Sequence, residues 1–157
     1  MLTKILVGVD GSESSEKALD TALEIADKFS ASVLILNVFQ PPPEFEYNLR
    51  LLQQPSGPGY SQTTMSYPPI YQEFRKVHEA VLSKATQKAI KLKPDLKIAS
   101  ELKEGDASSQ IVETAANGEF DLIVIGHRGD SKIKELFLGS TSERVAHRAV
   151  CAVLITK

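Results

Sequence analysis

The chain carries a single cysteine, Cys151, in 157 residues, so no internal disulfide can form. That excludes a secreted disulfide scaffold and a tetrahedral thiolate zinc site, and makes a reducing compartment, the cytoplasm, the expectation. Long apolar runs are also missing. The longest, Ile5 to Val9 and Leu122 to Gly126, fall far short of the roughly 18 to 20 residues of a membrane span. The run after Lys4 meets Asp10 too early for a signal peptide. Nor is there an excess of one charge: 18 Lys plus Arg against 20 Asp plus Glu leave a net −2, which is not the electrostatic footprint of a nucleic-acid binder.

Several chemical signatures are absent too. There is no GxxxxGK phosphate loop, no HExxH or other paired metal spacing around His78, His127 and His147, no GxSxG elbow, and no GxGxxG after the first apolar run. Walker-type hydrolysis, zincin chemistry, serine-hydrolase chemistry and nicotinamide binding each lose their usual support. No internal repeat is present, and Cys151, in a terminal apolar run, reads as core.

What is present is a 42% hydrophobic chain, long enough at about 150 residues to bury roughly 68 to 70% of its unfolded surface in one domain. KILVGV (Lys4 to Val9) is a β-branched run closed by Asp10, Gly11 and Ser12, the pattern of a buried strand ending in a turn. Ser12 is then the N-cap of a helix from about Ser14 to Ser30, with Ala18, Leu19, Ala22, Leu23, Ala26 and Phe29 on its inner face. SVLILNV (Ser32 to Val38) is a second strand. A segment of about 39–70 follows, rich in Pro and Gly, whose alternatives are a lid, a partner surface or an insertion without a role. Helical spacing resumes from Tyr71 to Leu92, with Phe74, Val77, Val81, Leu82, Ala85, Ala89 and Ile90 inward and Lys84, Lys88, Lys91 and Lys93 on a solvated outer face. A weaker strand (Leu96 to Leu102), a helix (Ala107 to Asn117) stopped by Gly118, a strand (Asp121 to Ile125), a helix (Thr141 to Ala149) and a last strand (Val150 to Thr156) complete the chain. Five strands alternating with four helices predict an α/β fold: a three-layer sandwich around a five-stranded parallel sheet.

The informative constellation is Gly126, His127, Arg128, Gly129, nine residues, then Gly139 and Ser140. The glycine spacing alone is weak, but Gly126 closes a strand and Gly139 opens a helix, and a doubly wound sheet binds ligands outside the carboxyl ends of its strands. Ser140 to Glu143 spells a capping box, Ser140 as N-cap and Glu143 as N3. A helix start there is an anion site, beside glycines whose amides can approach phosphate oxygens and with Arg128 in reach. The alternative is that the glycines only shape turns and Ser140 only caps. In strand order 3-2-1-4-5, Asp10 stands across the same crevice, able to hold ribose hydroxyls or a phosphate-bound divalent cation, or simply to cap its own turn.

These segments, from KILVGVDGSESS through EGDAS to DLIVIGHRGDSKIKELFLGSTSERVAHRAVCAVLIT, resemble the universal stress protein family over nearly the whole chain. Gly126, Gly129, Gly139 and Ser140 match the Gly-x2-Gly-x9-Gly-Ser/Thr pattern of its ATP-binding branch. The resemblance implies a Rossmann-like fold that binds adenine nucleotide. Asp10, with Gly11 beside it and the backbone of Val9 and Val38, would hold ribose and adenine. Gly126, His127, Arg128, Gly129, Gly139, Ser140, Thr141 and Ser142 would hold the phosphates of ATP, with magnesium or manganese reaching Asp10 through them. It further implies a homodimer through Val150 to Ile155 and an unidentified protein partner. The resulting expectation is a cytoplasmic nucleotide-dependent switch; a slow ATPase using Asp10 or His127, and a nucleotide-free dimerisation module, are the alternatives.

Overall fold

The strands form one sheet in which every neighbouring pair is parallel. A computed structural model describes residues 1–41, 69–127 and 139–157. Most of the expected insertion (42–68), together with Arg128 and Gly129, lies outside the described residues. The strands are β1 Lys4–Gly8, β2 Ser32–Phe39, β3 Ile98–Glu104, β4 Leu122–Gly126 and β5 Ala152–Thr156, lying side by side in the order β3-β2-β1-β4-β5. Between them, among the described residues, lie α1 Glu13–Phe29, α2 Pro69–Leu92, α3 Ala107–Asn117 and α4 Ser140–Arg148. This is the predicted α/β sandwich with the predicted strand order.

The two central strands explain why unbroken apolar runs are needed. Ile5, Leu6 and Val7 of β1 and Ile123 and Val124 of β4 are all fully buried, because helices cover both faces of a parallel sheet. On one face α1 and α2 pack on Ile5, Val7, Val33, Ile35 and Val124. On the other, α3 and α4 pack through Ile111, Ala115 and Val145 on Leu6, Leu36, Ile123 and Ile125. Ser12 caps α1 as predicted, accepting from the Ser15 amide at 3.2 Å.

Four expectations about the helices and the last strand need correction. Phe29 is 61% exposed: the last turn of α1 lies where the sheet begins, Ser32 N donating to Thr3 O, so no strand lies beneath it. Val77 (61%) and Ile90 (51%) are exposed as well. The inner stripe of α2 is Tyr71, Phe74, His78, Leu82, Ala85 and Ala89, and a one-residue offset turns a side chain about 100° away. Lys84, Lys88 and Lys93 do not form a merely solvated face; they pair with Glu16 (3.2 Å), Asp20 (2.7 Å) and Asp27 (2.6 Å) across the α1–α2 seam. Such partly exposed pairs contribute about 0 to 1 kcal/mol each. Finally β5 starts at Ala152 rather than Val150, which is 77% exposed, because its pairing with β4 begins at Leu122↔Ala152.

Candidate functional site

A cleft of about 280 Å³ opens at the carboxyl ends of β1, β2 and β4. This is the point where the order reverses, α1 leaving β1 for one face and α4 leaving β4 for the other. Of the sequence-predicted site residues, Val9, Asp10, Val38, Gly126, Gly139, Ser140, Thr141 and Ser142 line this cleft. Gly11, at φ +87, forms the turn behind it and lines a smaller pocket between α1 and α2. His127 does not line the cleft; its backbone joins β4 to its neighbours, N donating to Thr156 O and O accepting from Gly139 N, both at 2.8 Å. Its Nδ1 is buried with no hydrogen-bond partner among the described residues.

Asp10 is partly engaged in its own turn. Its Oδ1 accepts from Ser12 N at 2.9 Å and from Ser12 Oγ at 2.5 Å, an Asx turn that presents the carboxylate at the lip. Gly126 is a glycine for a packing reason: a Cβ there would stand 2.4 Å from Ser14 Oγ on α1. Its close approach is therefore to the first turn of α1.

The start of α4 departs from the predicted capping box. Gly139 is the N-cap, at φ −63 and ψ 149, without a side-chain cap bond, and Ser140 is already helical. Glu143 N donates to Gly139 O at 3.0 Å, so Glu143 is one position too late to be N3. Ser142, buried in the first turn, puts Oγ 2.9 Å from Gly139 O and 3.0 Å from His127 O and donates there. That hydroxyl fastens the helix start to the end of β4. The amides of Ser140, Thr141 and Ser142 are the first-turn donors that no intrahelical carbonyl can reach, and they lie at the cleft.

The start of α3 reaches the same cleft through Ala107. Here Asp106 is the N-cap, and its Oδ1 accepts from Ser108 Oγ, Ser109 N and Ser109 Oγ at 2.6 to 2.9 Å. The Ser108 hydroxyl, the Ser109 amide and hydroxyl, and Arg144 hold its pKa down at about 2.

The opposite wall is the end of β2. Val33 N bonds Lys97 O and Phe39 O accepts from Gly105 N, so odd-numbered residues of β2 face β3; Leu36 O accepts from Val9 N, so even-numbered ones face β1. The β1–β2 register ends at Gly8↔Leu36. The N–H and C=O of Val38 therefore face the side that β1 has left, at the cleft. The Val9 backbone is engaged on both sides, N on Leu36 O at 2.9 Å and O by Asn37 Nδ2 at 2.8 Å. Leu36, Ile111 and Ile125 make the floor apolar.

Sequence reasoning missed Gly8, Ser15, Leu36, Ala107, Ile111 and Ile125 of the lining, and Asn37 behind it. Nothing local distinguishes a small or apolar residue that faces a cleft from one that faces the core. Asn37, buried in the middle of an apolar strand, was the one available signal.

The model of the universal stress protein family matches residues 1–157. The stress response protein NhaX of Bacillus subtilis is 31% identical over 166 residues, covering 98% of this chain and 97% of that protein. The universal stress protein YxiE of the same organism is 31% identical over 163 residues, covering 100% of both. Among solved structures, a universal stress protein in complex with cAMP is 28% identical with a TM-score of 0.66, covering 99% of this chain and 96% of that one.

Proposed function

This chain belongs to the universal stress protein family, and from that premise we propose that it binds ATP in the cleft and acts as a nucleotide-dependent stress-response switch in the cytoplasm. The observation that carries the proposal is that the uncapped first turn of α4 and the turned-out peptide edge of Val38 line one cleft. The first suits an anion, since the helix start carries about half a positive charge and unsatisfied donors. The second offers an N–H and a C=O in adjacent positions. Adenine presents the complementary acceptor and donor, ring N1 and the 6-amino group, whereas guanine presents them reversed. Asp10, between the two, is the ribose contact. The relative crystallised with cAMP supports an adenine nucleotide as the ligand class.

Magnesium or manganese fits as an ion carried on the phosphates. Among the described residues no group of three or more His, Cys, Asp or Glu could cage a metal, and among those same residues Asp10 is the one carboxylate lining the cleft. The metal's contribution would be to neutralise phosphate charge; orienting the ribose, receiving the base edge and meeting the phosphates fall to Asp10, Val38 and the α4 turn. We place the second subunit of a homodimer on β5, the edge strand next to β4, where pairing would cover its open backbone groups.

The test is to denature the purified protein, identify any released nucleotide by chromatography and mass, and titrate the intact protein with ATP, AMP and GTP, with and without magnesium, by thermal shift. Co-purified adenine nucleotide, or a midpoint rise specific to it, is expected. No released nucleotide and no shift with any of them overturns the proposal.

A further inference from the structure

We propose that Asn37 and His78 form a positioning pair that ends the β1–β2 ladder one bond early and so turns the Val38 amide out to the ligand. The inference deepens the adenine reading of Val38 and rests on it for its binding arm.

In a parallel ladder a residue donates to one partner and accepts from the residue two further along. Val9 N donates to Leu36 O, so the next bond of the ladder would run from Val38 N to Val9 O. It is replaced: Asn37 Nδ2 donates to Val9 O at 2.8 Å. An acceptor at Val9 decides which end of the carboxamide faces it, and the Oδ1 end then faces His78 Nδ1 at 3.0 Å. His78 must carry its proton on Nδ1 to donate there. The ring is held by Phe39, stacked at 5.4 Å and 29°, and by Phe74 at 5.0 Å.

Asn37 is 0% exposed, between Leu36 and Val38 in an otherwise apolar strand. A buried carboxamide is costly unless both ends are bonded, and a leucine would fill the same strand position without that requirement. What the amide does that leucine would not do is occupy Val9 O. Val38 N then keeps its direction toward the cleft without a backbone partner from β1, and the helix that follows the 42–68 segment is tied through His78 to the peptide immediately before Asp10.

The experiment compares wild type with Asn37→Leu/His78→Leu, in which both polar partners become apolar, and with Asn37→Ala, which removes the donor without adding volume should the double variant fold poorly. Two readouts are used. In ligand-free protein, the Val38 amide hydrogen-exchange rate is measured by NMR; it is expected to slow at least tenfold in the variants as Val38 N takes Val9 O. In binding, the ratio of ATP to GTP affinity is expected to fall at least tenfold, while affinity for inorganic tripolyphosphate stays within twofold. Unchanged Val38 exchange in a folded variant overturns the proposal, as does a parallel fall of ATP, GTP and tripolyphosphate affinity, which would mark a purely structural role. If wild type binds no adenine nucleotide, the ATP proposal fails on its own, and the Val38 exchange still decides the pair's role.

Discussion

The first turns of α3 and α4 stand at the same cleft and are joined by Arg144, which reaches Asp106 at 3.5 Å, and by Arg148, which donates to Ser109 Oγ at 3.2 Å. Both helices have the same backbone field and the same unsatisfied amides at their starts. The α3 start is already answered by an internal anion: Asp106 takes the Ser109 amide and two hydroxyls. The α4 start has glycine at the equivalent position and no side-chain cap. One residue at the N-cap therefore separates a helix start that completes itself from one whose first-turn amides have no side-chain cap.

Moving the cap across should break this difference with the largest effect. Gly139→Asp places a carboxylate at an N-cap whose φ −63 and ψ 149 already suit it. Helix stability should rise by a few tenths of a kcal/mol. ATP affinity should fall by about 100-fold, or about 2.7 kcal/mol, because the added charge occupies the amides and repels phosphate. Calorimetric titration alongside thermal unfolding separates the two effects; undiminished affinity would place the phosphates elsewhere.

The converse change, Asp106→Ala, should cost about 1 kcal/mol, a fall in Tm of about 2 to 4 °C, with ATP affinity held within about twofold. A gain of tenfold or more would mean that α3 can serve as a second anion site once uncapped. Ser142→Ala removes the hydroxyl that ties α4 to β4 and should cost about 1 kcal/mol. A several-fold loss of ATP affinity is expected with it, since the first turn loses its fixed position; an equal loss for adenosine would show that the effect is not confined to the phosphate end.

Acidification gives the smallest effect. Folding lowers the Asp106 pKa from 3.8 to about 2, so the folded state favours the carboxylate. Its stabilisation is fully present above about pH 4 and is lost as pH falls toward 2. Asp106→Asn should therefore narrow the stability gap to wild type between pH 4 and 2, measured by denaturant titration at each pH. A gap that stays constant across that interval would show that Asp106 has no special tie to the α3 start.

Much of this architecture was legible in the chain. Continuous apolar runs such as KILVGV and DLIVI mark strands covered on both faces, and the Ser12 cap and the Ala18-to-Ala26 stripe mark α1. The lip residues Asp10, Gly126 and Gly139 to Ser142 follow from where those elements end. The inner stripe of α2 was harder to see: Val77 and His78 differ by one step of rotation, and an apolar residue was the natural choice for the inside, yet His78 takes it because Asn37 and the Phe39 ring wait there. The capping box failed for a related reason. Ser140 and Glu143 satisfy the motif, but the bonds of Gly139 N and Ser142 Oγ to His127 O set the helix start one residue earlier.

The sequence by itself determined the kind, number and order of the described elements, because burial on one face or two imprints a local period on side-chain polarity. The tertiary structure alone decided which atoms meet: Gly126 under Ser14, Asn37 on a carbonyl 28 residues away, His78 on Asn37 across 41. Those pairings depend on strand register and helix rotation, and in β1 and β4, apolar on both faces, a shift of one residue leaves burial nearly the same while changing every polar contact at the cleft.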